Sequence, residues 1–195
     1  MRVCLIRHGA TAWNAASRIQ GRQDVPLSEA GRAQVRSWRL PQGLETAVCV
    51  TSPLRRAVET AAMLGFVSPS RDSRLTEMDW GEFEGHTLAE LRAKLGPTMR
   101  ELEAAGLDFR PPGGESPREV AVRLRDALRD IAAVGRDTVI VAHKGILRAS
   151  LVLACGWDML GKPPVRYEPE RALIHRVDAS GAIVFEGAVP LAVGR

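Results

Sequence analysis

The stretch Met1-Arg-Val-Cys-Leu-Ile-Arg-His-Gly-Ala-Thr11 decides how the rest of the chain is interpreted. Its residues 3–6 form a continuous apolar run rich in β-formers, which predicts a short strand buried on both faces of a sheet. Arg7, His8 and Gly9 follow at once, so a cation, an imidazole and a turn residue stand at the strand's carboxyl end. In open α/β sheets that end is where ligands bind. Arg7 and His8 are therefore candidate site residues.

Length and composition favour one water-soluble domain over residues 1–195. Hydrophobic residues make up 45% of the chain and charged residues 26%, as in ordinary globular proteins. No apolar run suits a membrane helix, and residues 1–7 lack the features of a signal peptide. Cys4, Cys49 and Cys155 stand in apolar runs without CxxC spacing. We expect three buried free thiols and hence a reducing, cytoplasmic location.

The charge pattern argues against a nucleic-acid partner. The formal net charge is +4, arginines are spread along the whole chain, and aromatic residues are only 5%. A nucleic-acid protein is expected to cluster its cations on one face, with aromatic residues among them. A small anionic substrate is the better explanation of the arginines. We expect no nucleic acid and no membrane as partners, while a monomer and a homodimer stay open.

Three apolar runs predict the central strands, at residues 3–6, 47–50 and 139–142. Helical patterns lie between them, which is the βαβ order of a parallel sheet. Residues 172–177 and 182–185 predict a β-hairpin at the sheet edge. The expected fold class is therefore α/β, a three-layer α/β/α sandwich whose mostly parallel central sheet has an antiparallel edge strand. Residues 76–115, rich in glycine and proline, are expected to form a helical lid insert over the strand ends.

Helix starts are marked by serine. Ser28 opens one helix, and Ser52, followed by proline, is predicted to cap the next. Ser116-Pro-Arg-Glu119 is a capping box with proline at the first helical position, and Gly135 is expected to end that helix.

Each central strand is followed by residues suited to an anion. The first strand leads to Arg7 and His8, the second to residues 51–56 with two arginines, and the third to His143, Lys144 and Gly145. Arginine forks fit phosphate oxygens, and helix N-termini favour anions. Neutral imidazole can attack phosphorus and carry the phosphoryl group covalently. The ligand predicted for this edge of the sheet is a phosphoryl group.

Several motifs, in order along the chain, then resemble the histidine phosphatase superfamily, the phosphoglycerate mutase-like enzymes. They are Leu5-Ile-Arg-His-Gly-Ala-Thr-Ala-Trp-Asn14, the segment at 18–31, Ser52-Pro-Leu-Arg-Arg-Ala-Val-Glu-Thr-Ala61, Leu75-Thr-Glu77 with Gly81-Glu-Phe-Glu-Gly85, Pro112-Gly-Gly-Glu-Ser116 and Val141-Ala-His-Lys-Gly-Ile-Leu-Arg148. The similarity covers about residues 3–150 and includes the small phosphatase members, such as α-ribazole phosphatases.

The resemblance implies a role for each matching residue. His8 would be the nucleophile, with His143 as its partner at the phosphoryl oxygens. Glu77 would donate and accept the proton. Phosphate and substrate contacts would come from the remaining matches: Arg7, Arg56, Asn14, Gln20, Gly21, Lys144 and Gly145. Lys144 departs from the family pattern, which often has glycine there, so substrate selectivity does not transfer at this position.

The expected function is a phosphatase that hydrolyses a phosphate monoester of a small metabolite through a phosphohistidine on His8. It would need no cofactor, and no carboxylate or cysteine ligands at suitable spacing indicate a metal site. A phosphoglycerate mutase is the alternative, and a non-catalytic sensor of phosphorylated ligands is the third. The intact set of His8, His143 and Glu77 argues against a sensor. The resemblance implies that mutases of this family cover the phosphohistidine with a stretch rich in tyrosine and arginine. This chain has a single tyrosine, Tyr167, which argues against a mutase.

Other polar residues near the motifs have ordinary explanations. Glu82 and Glu84 are expected to be surface charges of the lid segment, and Asp79 is the main rival to Glu77 as the acid. His86 and His175 lie outside the motifs and are expected to be solvated or packed.

Overall fold

Six strands form one sheet in the computed structural model, which describes residues 1–166 and 168–191. In chain order the strands are β1 (Arg2–Arg7), β2 (Val48–Thr51), β3 (Ser70–Arg71), β4 (Thr138–Ala142), β5 (Arg171–Val177) and β6 (Ile183–Pro190). Their order across the sheet is β3-β2-β4-β1-β5-β6. Tyr167 lies outside the described residues.

The sheet is mostly parallel, as predicted. Strand β4 lies between β1 and β2 and is parallel to both, and β3 extends the parallel part beyond β2. Strand β5 runs antiparallel to β1 and forms the expected hairpin with the edge strand β6. The three predicted central strands are therefore confirmed, with β2 one residue further along than expected.

Helices cover both faces of the sheet. In the described residues they are α1 (Ala12–Ala15), α2 (Glu29–Arg36), α3 (Arg55–Met63), α4 (Leu88–Leu95), α5 (Pro97–Ala104), α6 (Pro117–Val134) and α7 (Lys144–Cys155). Alternate residues of β1 face opposite ways, because side chains alternate along a strand. Val3 and Leu5 pack with α6 and α7, whereas Cys4 and Ile6 pack with α2 and α3. This gives the three-layer α/β/α arrangement.

Two of the three predicted serine caps are confirmed. Ser28 accepts the Gly31 N–H at the start of α2, and Ser116 forms the capping box with Glu119 at the start of α6. Gly135 ends α6 in the left-handed conformation, with φ of 70°. The prediction for Ser52 is wrong. Helix α3 begins at Arg55 with Leu54 as its N-cap, because the Ser52 hydroxyl has another partner, described below.

Residues 76–115 contain helices α4 and α5 and short 3₁₀ turns, as expected for the segment. Helix α4 begins with a capping box between Thr87 and Glu90.

Two expectations for single residues can be compared directly. Cys4 and Cys49 are buried free thiols, but Cys155 is exposed, because it is the last residue of α7 and is followed by the exposed Gly156. The expectation of a third buried thiol is wrong.

His175 is packed inside, with its ring against Phe185, and burial lowers its pKa to about 4. No helix in the described part of the chain is long and apolar enough to cross a membrane.

Candidate active site

The carboxyl ends of β1, β4 and β2 lie side by side, because these strands are adjacent and parallel. A cavity of about 610 Å³ begins at these ends. Its wall includes all the predicted site residues except His143: Arg7, His8, Asn14, Gln20, Gly21, Arg56, Glu77, Lys144 and Gly145. The sheet thus brings together residues that are far apart in sequence.

His8 lines this cavity and is buried, with one ring nitrogen occupied. Its Nδ1 lies 2.7 Å from the Gly9 carbonyl oxygen, which can only accept, so Nδ1 carries the proton. In the neutral ring the lone pair is therefore on Nε2. Burial, together with the charges of Arg7 and Arg56, holds the pKa of His8 well below its ordinary value. The result is a neutral imidazole with Nε2 able to act as a base or nucleophile near neutral pH.

His143 is fully buried, and its ring centroid lies 5.2 Å from that of His8. Its Nδ1 accepts from Arg56 Nε at 3.3 Å, and its Nε2 lies 2.7 Å from the Ser52 hydroxyl. Since an acceptor Nδ1 carries no proton, Nε2–H donates to Ser52 Oγ. Burial and the neighbouring Arg56 charge hold the pKa of His143 well below its ordinary value. The structure therefore gives His143 a fixed orientation outside the cavity wall.

Ser52 belongs to the site, although its sequence pattern predicts a helix cap. Ser52 is fully buried and joins the end of β2 to the start of α7 through its contact with His143. Its hydroxyl also accepts from the Leu54 N–H at 3.3 Å, which forms the turn before α3. The contact with His143 spans 91 positions in sequence, so local pattern could not find it.

Among the residues that the structure describes, Arg56 has the largest fully buried side chain. Its Nη2 donates to the Gly21 carbonyl at 2.8 Å and its Nη1 to the Gln23 carbonyl at 2.6 Å. Gly21 thus contributes a backbone oxygen that holds Arg56. Each terminal nitrogen of a guanidinium carries two protons, so one proton on each stays available for an anion.

Asn14 and Gln20 line the cavity beside His8. Asn14 Oδ1 accepts from the Thr11 N–H and hydroxyl, so its amide nitrogen is the group left to donate to a ligand. Gln20 is only 8% exposed, and within the described residues its Oε1 has no hydrogen-bond partner. Both side chains therefore have polar atoms suited to a substrate.

Glu77 lines the same cavity. Its Oε1 accepts two backbone N–H groups, from Met78 and from Gly145, each at 2.9 Å. A Cβ added to Gly145 would lie 2.2 Å from this oxygen, so only glycine leaves room for the carboxylate here. The Glu77 carboxylate is thereby fixed at the start of α7, close to the strand ends.

The rival carboxylates have other partners. Asp79 Oδ2 lies 3.3 Å from Arg22 Nη1, and its Oδ1 accepts the Gly81 N–H at 2.9 Å. Glu82 is exposed. Neither belongs to the residues that line the cavity. Of these three carboxylates, Glu77 is therefore the best placed to act as the general acid.

Glu84 is half-buried and bonded, so its prediction as a surface charge is wrong. Its carboxylate accepts the Arg22 N–H at 2.7 Å and the Gln23 side-chain amide at 3.0 Å. It also packs on Gly21, where an added Cβ would lie 1.8 Å from its Oε1. Glu84 thus fixes the loop at 21–23, whose carbonyls in turn hold Arg56. The glycine at 21 and the acidic lid motif were visible in sequence, but their contact was not.

Replacing Glu84 by alanine is expected to lower kcat/KM about 10- to 100-fold, because a small displacement of the loop would misplace Arg56. Glu84→Gln keeps an acceptor oxygen for the Arg22 N–H, so its kcat/KM should fall much less. Steady-state kinetics on an aryl phosphate measures both. Glu82→Ala is the matched control, being exposed and two positions away. Activity of Glu84→Ala within twofold of the unchanged protein would contradict the role of this contact.

The cavity wall is rich in cations. Its basic side chains are Arg7, Arg18, Arg56, Arg92, Lys144 and Arg148, against the two acids Glu77 and Glu103. Glu103 is paired with Arg92 at 2.7 Å. Burial, with the nearby charges of Arg148 and Arg7, lowers the pKa of Lys144 from its ordinary value. The excess of positive charge suits an anionic ligand.

Among residues 1–166 and 168–191, no three His, Cys, Asp or Glu side chains are grouped to hold a metal ion.

Comparison with known proteins agrees with this geometry. The profile of the histidine phosphatase superfamily (branch 1) matches residues 3–178. The chain belongs to this superfamily. The resemblance predicted from the motifs is therefore confirmed.

Relatives within the superfamily include both phosphatases and mutases. The chain is 36% identical over 159 residues to the 2,3-bisphosphoglycerate-dependent phosphoglycerate mutase 2 of Gloeobacter violaceus, covering 76% of this chain and 73% of that protein. It is 34% identical over 178 residues to the glucosyl-3-phosphoglycerate phosphatase of Mycolicibacterium vanbaalenii, covering 82% and 79%. Bacillus stearothermophilus YhfR has a similar structure, with a TM-score of 0.80, 32% identity and 99% and 98% of the two chains covered. These similarities support a phosphatase acting through phosphohistidine, with the mutase as the alternative.

Proposed function

We propose that the protein hydrolyses a phosphate monoester of a small metabolite, with His8 as the residue that carries the phosphoryl group. The observation that carries the proposal is the state of His8 in the cavity. Its Nδ1–H donates a hydrogen bond to the Gly9 carbonyl oxygen, and burial beside Arg7 and Arg56 lowers its pKa. A neutral ring held in this way presents Nε2 to a phosphorus atom.

In the first step, Nε2 of His8 attacks phosphorus, and the bond between phosphorus and the ester oxygen breaks. Arg7, Arg56 and the Asn14 amide stabilise the charge on the phosphoryl oxygens, as the loose transition state of phosphoryl transfer requires. Glu77 gives its proton to the leaving alcohol oxygen. His143 is proposed as the partner of His8 at the phosphoryl oxygens, since its ring centroid lies 5.2 Å from that of His8. In the structure it also accepts from Arg56 Nε and donates to Ser52, which keeps the guanidinium oriented.

In the second step, Glu77 acts as the base. It takes a proton from water, the water oxygen attacks phosphorus, and the bond to His8 Nε2 breaks to release inorganic phosphate. One carboxyl group can serve in both steps, because the first step leaves it ionised. Arginine side chains supply the positive charge, so we further propose that the reaction needs no metal ion. The free buried thiols of Cys4 and Cys49 support a cytoplasmic location.

Residues 76–115 are proposed to act as a lid over this site. Trp80, Leu88, Met99 and Phe109 from this segment line the cavity, and the Trp80 and Phe109 rings lie 5.4 Å apart. Such a cover would limit water around the leaving group.

A phosphoglycerate mutase is the second candidate, favoured by the 36% identity to the Gloeobacter violaceus enzyme. The two functions differ in whether water or a substrate hydroxyl receives the phosphoryl group. Purified protein should be incubated with 4-nitrophenyl phosphate, with a panel of phosphorylated metabolites and with 3-phosphoglycerate. We expect release of inorganic phosphate to exceed interconversion of 3- and 2-phosphoglycerate. Interconversion much faster than phosphate release from every ester would assign the protein as a mutase.

A further inference from the structure

An ion pair outside the cavity wall contacts the segment that carries Glu77. Arg123 of α6 and Glu115, the residue before the Ser116 cap, form a fork in which Nε lies 2.7 Å from Oε1 and Nη2 lies 3.0 Å from Oε2. Their side chains are only 16% and 14% exposed. Two parallel bonds between a guanidinium and a carboxylate fix direction as well as distance. Neither residue lines the cavity, so substrate contact does not explain the pair.

The pair holds the backbone on both sides of Glu77. The remaining donor of Arg123, Nη1, bonds to the carbonyl oxygen of Arg74, three positions before Glu77. Two positions after Glu77, the Asp79 N–H donates to Glu115 Oε2 at 3.2 Å, and the Asp79 carbonyl accepts the Glu115 N–H at 2.9 Å. One ion pair therefore fixes the chain before and after the acid.

Apolar packing alone does not set the direction of the Glu77 side chain. Leu75 and Met78 are buried in the core and stabilise the segment, but apolar contact has no preferred direction. Hydrogen bonds do have one, so those to the Arg74 and Asp79 backbone orient the peptide units around Glu77. Among these units is the Met78 N–H that Glu77 Oε1 accepts. A displacement of about 1 Å in an active site can cost on the order of 10²-fold in rate.

Arg22 is a weaker partner of Glu115. Its Nη2 lies 3.6 Å from Glu115 Oε2, and half of its side chain is exposed. Exposed ion pairs of this kind contribute little, because solvent screens them. The buried fork with Arg123 therefore dominates the position of the Glu115 carboxylate.

We propose that Glu115 and Arg123 are positioning residues, which set the Glu77 carboxyl group at the distance from the leaving oxygen that proton transfer requires. The inference rests on the proposed phosphatase function, with Glu77 as its acid. It gives a function to the motif Pro112-Gly-Gly-Glu-Ser116, which contributes no residue to the cavity wall. It also gives one to Arg123, which lies outside the family motifs.

The test compares two esters of similar size, 4-nitrophenyl phosphate and 4-nitrobenzyl phosphate. The nitrophenolate leaves readily, whereas the benzyl alcohol needs the proton of Glu77. We expect Arg123→Gln to lower kcat/KM about 10- to 100-fold for the benzyl ester and at most several-fold for the aryl ester. Glu115→Gln loses the fork from its other side and should shift the ratio of the two values in the same direction. Because both values come from one preparation, their ratio does not depend on the folded fraction.

A double variant separates positioning from a general structural role. Glu77→Gln removes the group that is to be positioned. In this background, Arg123→Gln should lower kcat/KM for the benzyl ester by no more than about threefold, because residues that act through one another are not additive.

Arg118→Gln is the matched control. Arg118 also belongs to α6 and forms a fork with Asp108, at 2.7 and 2.9 Å, but it is exposed and does not line the cavity. It should keep the ester ratio of the unchanged protein.

Equal losses for the two esters, an unchanged ratio in both Arg123→Gln and Glu115→Gln, or a full effect of Arg123→Gln in the Glu77→Gln background would overturn the inference. If the unchanged protein released phosphate from neither ester, the proposed function itself would be refuted, and the inference with it.

Discussion

Replacing His8 by alanine is expected to lower the hydrolysis of 4-nitrophenyl phosphate on the order of 10⁴-fold or more, as removal of a covalent nucleophile typically does. The loss should be large because the neighbouring imidazole, His143, is not placed to replace His8 as the nucleophile. His143 lies outside the cavity wall, with Nδ1 accepting from Arg56 and Nε2 donating to Ser52. Initial rates of phosphate release measure the effect.

A phosphoryl group on His8 should also be observed directly. Rapid quenching with a ³²P-labelled ester is expected to leave a label that is stable to base and labile to acid, and absent from His8→Ala. His86→Ala is the control, because this exposed histidine lies beside Glu90, outside the cavity wall. Full activity of His8→Ala, or a label on another residue, would rule out the proposed mechanism.

The buried strands could be predicted from sequence because their signal is local. Residues buried on both faces of a sheet must all be apolar, so β1 and β4 stand out as unbroken runs. The caps of α2 and α6 depend on residues three positions apart, and they too were correct. From these elements the meeting of His8, Arg56 and Glu77 at one edge follows, given parallel strands and the family motifs.

The errors concern groups whose partners are distant in sequence. Ser52 has the pattern of a helix cap, yet its hydroxyl bonds to His143, where a buried imidazole needs an acceptor more than an exposed helix end needs a cap. Glu84 has the pattern of a surface charge, yet it contacts backbone that becomes its neighbour only when the lid segment packs on the loop at 21–23. The short strand β3 has two residues and no periodicity that could reveal it.

One missed element did have a local signal. Thr87-Leu-Ala-Glu90 is a capping box of the same type as Ser116-Pro-Arg-Glu119, and it starts α4. The composition of residues 76–115, rich in glycine and proline, led only to the general prediction of a helical lid insert, without a start for this helix. The helix start was therefore available from the sequence, whereas the cavity-lining role of Trp80 and Leu88 was not.

Glu77→Gln is expected to slow hydrolysis of alkyl phosphates by about 10²- to 10⁴-fold, the usual range for general acid catalysis. Glutamine keeps an acceptor oxygen for the Met78 and Gly145 N–H groups, so the variant should fold and lose only the proton that the leaving alcohol needs. An aryl phosphate with a good leaving group needs that proton much less. The loss at the phosphorylation step, measured by rapid quench, should therefore be smaller for aryl than for alkyl esters.

Asp79→Asn is the matched control, since Asp79 is paired with Arg22 and does not line the cavity. Gly145→Ala tests whether the position of the Glu77 carboxylate matters when its chemical identity is unchanged. Its new Cβ would lie 2.2 Å from Glu77 Oε1, so the carboxylate must move although it is chemically intact. We expect Gly145→Ala to resemble Glu77→Gln in its stronger effect on alkyl esters, because a displaced acid cannot reach the leaving oxygen. If Glu77→Gln kept near-normal rates on an alkyl phosphate while Asp79→Asn lost them, the acid would be Asp79.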